Sequence, residues 1–91
     1  MKKFTAILEL KVKSEEGFDK LANLLKQNKF ISELYLVSGS FDFMCFLDAS
    51  PKVVGDITAE LSAYPEINST RTHFVLKDYS EIEVDNRECV L

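Results

Sequence analysis

Ile31-Ser32-Glu33-Leu34-Tyr35-Leu36-Val37-Ser38-Gly39-Ser40-Phe41-Asp42-Phe43-Met44-Cys45-Phe46-Leu47-Asp48 is the stretch that decides the fold. Two apolar runs flank a tight turn, and glycine is the residue that adopts φ > 0 there without steric cost. Residues 31–37 read as a strand with Leu34 and Leu36 on one side and Glu33, Tyr35 and Val37 on the other. In residues 41–48, Phe41, Phe43, Cys45 and Leu47 alternate with Met44 and Phe46, so both sides are apolar. A strand of that kind is central in its sheet or is covered by a partner.

Outward from this core, Phe4, Ala6, Leu8, Leu10 and Val12 alternate with Thr5, Ile7, Glu9 and Lys11, the period of a strand over residues 4–12. Ser14 then reads as a helix N-cap, with Glu15 and Glu16 in the first turn, where carboxylates suit the helix dipole. Phe18, Leu21 and Leu25, with Ala22 and Leu24 beside them, carry a helix to about Asn28, and Gly17 only weakens its first turn. Beyond the third strand, Ser50-Pro51 is a capping hydroxyl followed by proline at the first helical position. Val54, Ile57, Leu61 and Tyr64 form the inward stripe of this second helix, and Pro65 stops it. A fourth strand over residues 67–77 sets Thr70, Thr72, Phe74 and Leu76 against Arg71, His73 and Val75.

The order β-α-β-β-α-β predicts an α+β, ferredoxin-like sandwich: a four-stranded antiparallel sheet with two helices on one face. The opposite face is then bare, with Ile7, Tyr35, Val37 and Val75 as candidates for it. An uncovered face of mixed apolar and polar groups marks a partner surface. The expected assembly is a dimer whose sheets meet face to face, a dimeric αβ barrel.

The 91 residues make one domain, expected to span residues 1–77 with an acidic tail of the same domain at 78–91. A hydrophobic fraction of 46% with mean hydropathy −0.04 belongs to a packed chain rather than a disordered one. No apolar run approaches the roughly 20 residues of a membrane helix, and Met1-Lys2-Lys3 leads into a strand pattern instead of a signal peptide. The expected setting is cytoplasmic, away from membranes. Asp78, Glu81, Glu83, Asp85 and Glu88 against Arg87 account for the whole net charge of −4. The rest of the chain is balanced and lacks the basic cluster that direct nucleic-acid binding requires. Cys45 and Cys89 have no metal-ligand spacing and are read as free thiols. No Ser-His-Asp set, paired-carboxylate motif or phosphate loop is present, so no catalytic residue, metal or cofactor is assigned.

Two polar clusters remain as site candidates: Gly39, Ser40, Phe41 and Asp42 at the turn, and Ser69, Thr70, Arg71 and Thr72 at the entry to the last strand. Together with the run Tyr64-Pro65-Glu66-Ile67-Asn68 and the strand residues Phe74-Val75-Leu76-Lys77, they resemble the C-terminal effector-binding (RAM) domain of the leucine-responsive regulatory protein/AsnC family. The resemblance covers residues 3–77. Members of that family usually carry an N-terminal helix-turn-helix, whereas this chain opens on the first strand and reads as a stand-alone effector domain. The resemblance implies a homodimer, assembled further into rings of four dimers, an octamer, with amino-acid effectors bound where dimers meet. It also implies mixed assembly with full-length family members. The eight residues of the two clusters would line the effector site: backbone N–H groups at the glycine turn and the Thr70 and Thr72 hydroxyls or Arg71 for a carboxylate, Asp42 for an ammonium.

Each candidate has a structural role open to it as well. Asp42 is placed to bond nearby backbone N–H groups, Arg71 to pair with an acidic neighbour, Gly39 to serve the turn alone, and the sole histidine, His73, to sit as an ordinary strand residue. Two other functional classes share the element order. One is a small dimeric αβ-barrel enzyme of the cofactor-free monooxygenase or isomerase type, and the other is an ACT-like regulatory domain. An enzyme needs a polar group in a roomy cavity between sheet and helices, and the helix-facing positions here are Phe, Leu, Val and Ile.

Overall fold

Strict alternation builds the middle of the sheet. In the computed structural model, which describes residues 4–80, strand β1 (Ala6–Val12) buries Ala6, Leu8, Leu10 and Val12 and leaves Ile7, Glu9 and Lys11 half-buried. Strand β3 (Phe43–Leu47) does the same with Phe43, Cys45 and Leu47. The two pair antiparallel with Leu8 opposite Cys45 and Leu10 opposite Phe43, so their buried rows lie side by side. Strand β2 (Ile31–Leu36) flanks β3 and strand β4 (Ile67–Phe74) flanks β1, in the order β2-β3-β1-β4 with every pair antiparallel. The strand that is apolar on both sides is therefore central, as its composition predicts.

Helices α1 (Phe18–Lys26) and α2 (Pro51–Ser62) lay Leu21, Leu25, Val54, Ile57 and Leu61 onto those rows, closing one core with Ile67. Two helices on a four-stranded antiparallel sheet make this the ferredoxin-like α+β fold. At the start of α2 the Ser50 side chain accepts the Val53 N–H at 3.3 Å with Pro51 at the first helical position. The Cys45 thiol is free and buried, and burial pushes it up to about 12, which leaves it packed and unreactive.

Several boundaries differ from the periodicity. Ser14 does not cap a helix with its side chain; it precedes a 3-10 turn, Glu15–Gly17, closed by Gly17 N–H to the Ser14 carbonyl at 3.2 Å, and α1 begins at Phe18. The second helix ends at Ser62, before Pro65, so Tyr64 lies past it and is only half-buried. Strand β4 ends at Phe74 rather than residue 77 because β1 runs out opposite it at Ala6. One further bond, Val75 N–H to the Thr5 carbonyl at 2.9 Å, follows, and Leu76 then stands 95% exposed. Leu36 keeps to the side of Leu34 but lies at the sheet's edge, exposed. Residues 81–91, with Cys89 and most of the acidic tail, lie outside the described residues, as do residues 1–3.

Two aromatic residues change sides. Alternation assigns Phe4 to the row of Ala6 and Phe41 to the row of Phe43, yet both precede the first hydrogen-bonded residue of their strands. Phe4 packs its ring edge-on to Phe46 at 4.7 Å, and Phe41 lies under the Arg71 guanidinium at 5.0 Å. Both contacts are on the face away from the helices, because period two holds only where the ladder fixes φ and ψ.

Replacement of the fully buried Leu47 by Ala is expected to lower unfolding free energy by about 2–5 kcal/mol. Ser50→Ala removes only a helix cap and should cost about 1 kcal/mol. Urea denaturation of both variants checks the order of the two effects.

Candidate functional site

The turn is held by backbone and by one carboxylate. Val37 N–H donates to the Asp42 carbonyl at 2.7 Å, and Asp42 N–H donates to the Leu10 carbonyl at 2.9 Å. Asp42 Oδ2 accepts the Val12 N–H at 2.8 Å. The side chain therefore continues the β3–β1 ladder for one more rung after the backbone of the third strand has turned away. Gly39 has φ 114°, the left-handed region, with open space where a Cβ would project, so conformation rather than crowding calls for glycine.

The second cluster divides between the two faces of the sheet. Thr72 stands opposite Leu8 and Thr70 opposite Leu10, on the helix side. There Thr72 Oγ1 lies 3.2 Å from Thr58 Oγ1 and Thr70 Oγ1 lies 3.5 Å from Ser62 Oγ, a seam of hydroxyls under α2. Ser69, opposite Lys11, and Arg71, opposite Glu9, are on the open side. The structure thus brings Phe41, Asp42 and Arg71 together around the last residues of β1, with Ser69 beyond. It does not bring Thr70 and Thr72 to that surface.

What surrounds this edge is the sheet face opposite α1 and α2, which no helix covers among the described residues. Phe46, half-buried, takes Phe4 against one side and Tyr35 against another, the latter at 5.9 Å, and Ile7 stands opposite it on β1. Tyr35 donates its hydroxyl to Glu33 at 2.6 Å; that hydrogen bond and the neighbouring negative charge raise the phenol above its ordinary value. His73 Nε2 lies 2.9 Å from Glu9 Oε1. The Glu9–His73 pair escaped the sequence reading, although both residues sit at open-side positions on strands that the fold makes neighbours, and a register would have found them. Val37 and Val75 lie beyond the strand ends instead of on the face itself.

Two clefts occur elsewhere. One of about 180 Å³ opens between the helices at Leu24, Ile57, Glu60 and Tyr64, and one of about 630 Å³ lies beside Ser50, Pro51, Phe74 and Leu76. None of the eight candidate residues lines either. Between sheet and helices the described residues bury no polar or charged side chain, and they hold no group of three metal-ligating side chains.

The family model described as the Lrp/AsnC ligand-binding domain matches residues 5–84. An uncharacterised helix-turn-helix type transcriptional regulator of Bacillus subtilis, YugG, is 32% identical over 79 residues, which are 82% of this chain and 48% of that protein. The chain thus spans about half the length of its curated relative. Among solved structures, Escherichia coli AsnC superposes with a TM-score of 0.74 at 17% identity over 87% of this chain and 54% of that one. The protein TTHA0845 from Thermus thermophilus superposes with a TM-score of 0.76 at 15% identity over 85% of this chain and 98% of that one. At such identities the structures speak for the fold, and the family model, which spans nearly the whole described sandwich, speaks for descent: the chain belongs to the Lrp/AsnC family and carries its ligand-binding domain.

Proposed function

We propose that this chain is a cytoplasmic effector-binding and assembly module of a transcription regulator, without catalysis and without direct contact to nucleic acid. It takes a small amino acid at the edge formed by residues 39–42 and Arg71. The observation that carries the reading is the meeting of the left-handed glycine turn with the Phe41–Arg71 stack at the end of β1, in a domain matched by the family's ligand-binding model. Phe41 lies beneath the guanidinium at 5.0 Å and no carboxylate pairs with Arg71 among the described residues, so its N–H groups are left for a ligand carboxylate in the bidentate geometry that arginine favours. The turn's backbone supplies further polar groups. Asp42 has Oδ1 left to meet an ammonium group while Oδ2 stays on Val12. Thr70 and Thr72 support the site from beneath through α2.

Assembly is the second half of the proposal. The open face combines Ile7, Phe46, Phe4 and Met44 with Glu9, Glu33, Lys11, Arg71 and His73, an apolar middle with charges of both signs around it that a second copy related by a two-fold axis would cover. A homodimer formed this way brings two effector edges to the rim of one interface, from which rings of dimers and mixed assemblies with longer family members extend.

Sedimentation at micromolar concentration should show an even-numbered species for the native chain. Ile7→Lys, with an unchanged circular dichroism spectrum, should give a monomer, since each copy would place an unpaired ammonium in the apolar middle of the contact. A native chain that is monomeric would remove the assembly reading.

Calorimetric titration with the proteinogenic amino acids in turn tests the site. For the best ligand found, Arg71→Ala should weaken binding by roughly tenfold or more, the scale of one lost charge-assisted hydrogen bond. Asp42→Ala should in addition lower the melting temperature, because the Val12 N–H loses its acceptor. Undiminished affinity in Arg71→Ala would take the carboxylate away from Arg71.

A further inference from the structure

We infer that assembly through the open sheet face takes up protons at His73, so that the assembled form is tighter in mildly acidic than in mildly alkaline solution. The inference rests on the reading of that face as the contact between two copies. Glu9 and His73 meet diagonally across β1 and β4 at 2.9 Å, with side-chain exposures of 19% and 49%. Their surroundings on this face are the apolar Ile7, Met44 and Phe46. The charged and titratable groups sharing it are Lys11 on β1, Arg71 on β4, and Glu33 and Tyr35 on β2; β3 contributes none within its span, and Asp42, just before it, sits at the edge with one oxygen on the Val12 N–H.

Covering the face removes the remaining water from the Glu9 carboxylate, and a carboxylate stripped of water is costly unless a cation accompanies it. Arg71 is its register partner on β4, yet the Arg71 guanidinium lies over Phe41, and no arginine ion pair occurs among the described residues. Glu33 is engaged by the Tyr35 hydroxyl on the far strand. The cation nearest to Glu9 is thus a protonated His73, whose ring nitrogen is already within bonding distance. With neutral imidazole the pair carries one negative charge into the interface per copy; with imidazolium it carries none.

The sign follows from linkage: an association that binds protons strengthens as pH falls and weakens as pH rises. One proton per copy sets an upper limit of about a hundredfold in the dimer dissociation constant per pH unit.

Sedimentation equilibrium of the full chain at constant ionic strength, from about pH 6 to about pH 8, tests this in the native protein, His73→Gln, Glu9→Gln and Ile7→Lys. The native dissociation constant should rise at least about tenfold across that range. His73→Gln keeps a hydrogen-bond donor for Glu9 without titrating and should be nearly flat. Glu9→Gln removes the charge that recruits the proton and should also be nearly flat, which guards against a local distortion in one variant. If Ile7→Lys dissociates the dimer while the native constant is independent of pH, or if His73→Gln keeps the native slope, the proton linkage is overturned and the interface stands. If the native chain is a monomer throughout, or Ile7→Lys leaves the dimer intact, the interface reading has failed and the linkage falls with it.

Discussion

Everything in this molecule depends on the pairing of β1 with β3. Those two strands carry the only fully alternating buried rows among the described residues, Ala6, Leu8, Leu10 and Val12 against Phe43, Cys45 and Leu47, and they occupy the middle of the sheet. Helices α1 and α2 cover these rows, and β2 and β4 join the two outer edges of the pair. Because side chains alternate at period two, burying one row on the helix side commits Ile7, Glu9, Lys11, Met44 and Phe46 to the opposite side. The open face is therefore the same constraint viewed from behind.

Asp42 ties this pairing to the candidate site. Its backbone N–H and one carboxylate oxygen both bond β1, at Leu10 and Val12, so the carboxylate extends the central pair beyond the last regular residue of β3. The turn containing Gly39 is thereby fixed relative to the sheet, and Phe41 is delivered to the open side under Arg71. A residue that carries structure through one oxygen need not choose between the two roles that its position in the sequence leaves open. The same division applies to Arg71, which lies over an aromatic ring and forms no ion pair among the described residues.

Legibility from sequence followed the ladder. Where hydrogen bonds fix the backbone, period two predicted the side correctly at every buried position of β1 and β3, and the order of elements was enough to place both helices on one face. Where the ladder stops, it failed: Phe4 and Phe41, each just ahead of its strand, cross to the open side, and Leu76, just past its strand, faces solvent. Helix starts were legible when a side chain did the capping, as at Ser50, and not when backbone closed a 3-10 turn, as at Ser14. The site was legible as two clusters but not as a geometry. Alternation across residues 69–72 sends Arg71 to one face and Thr70 and Thr72 to the other, and only the register against Leu8, Glu9 and Leu10 shows which is which.

The division of β4 has a functional consequence. Its helix-side residues bind α2 through paired hydroxyls, Thr72 with Thr58 and Thr70 with Ser62, where apolar packing would be expected. Its open-side residues contact the turn through Arg71 and β1 through His73. A hydroxyl seam is held by directional bonds of modest net strength, so it yields to a small shift of the strand more readily than interlocked apolar side chains do. A ligand that pulls on Arg71 acts on the same strand that carries His73 and the seam under α2. In the proposed assembly, effector binding at the turn and contact between copies therefore work through one edge strand, which is laddered to β1 along its whole length and meets α2 through hydroxyls.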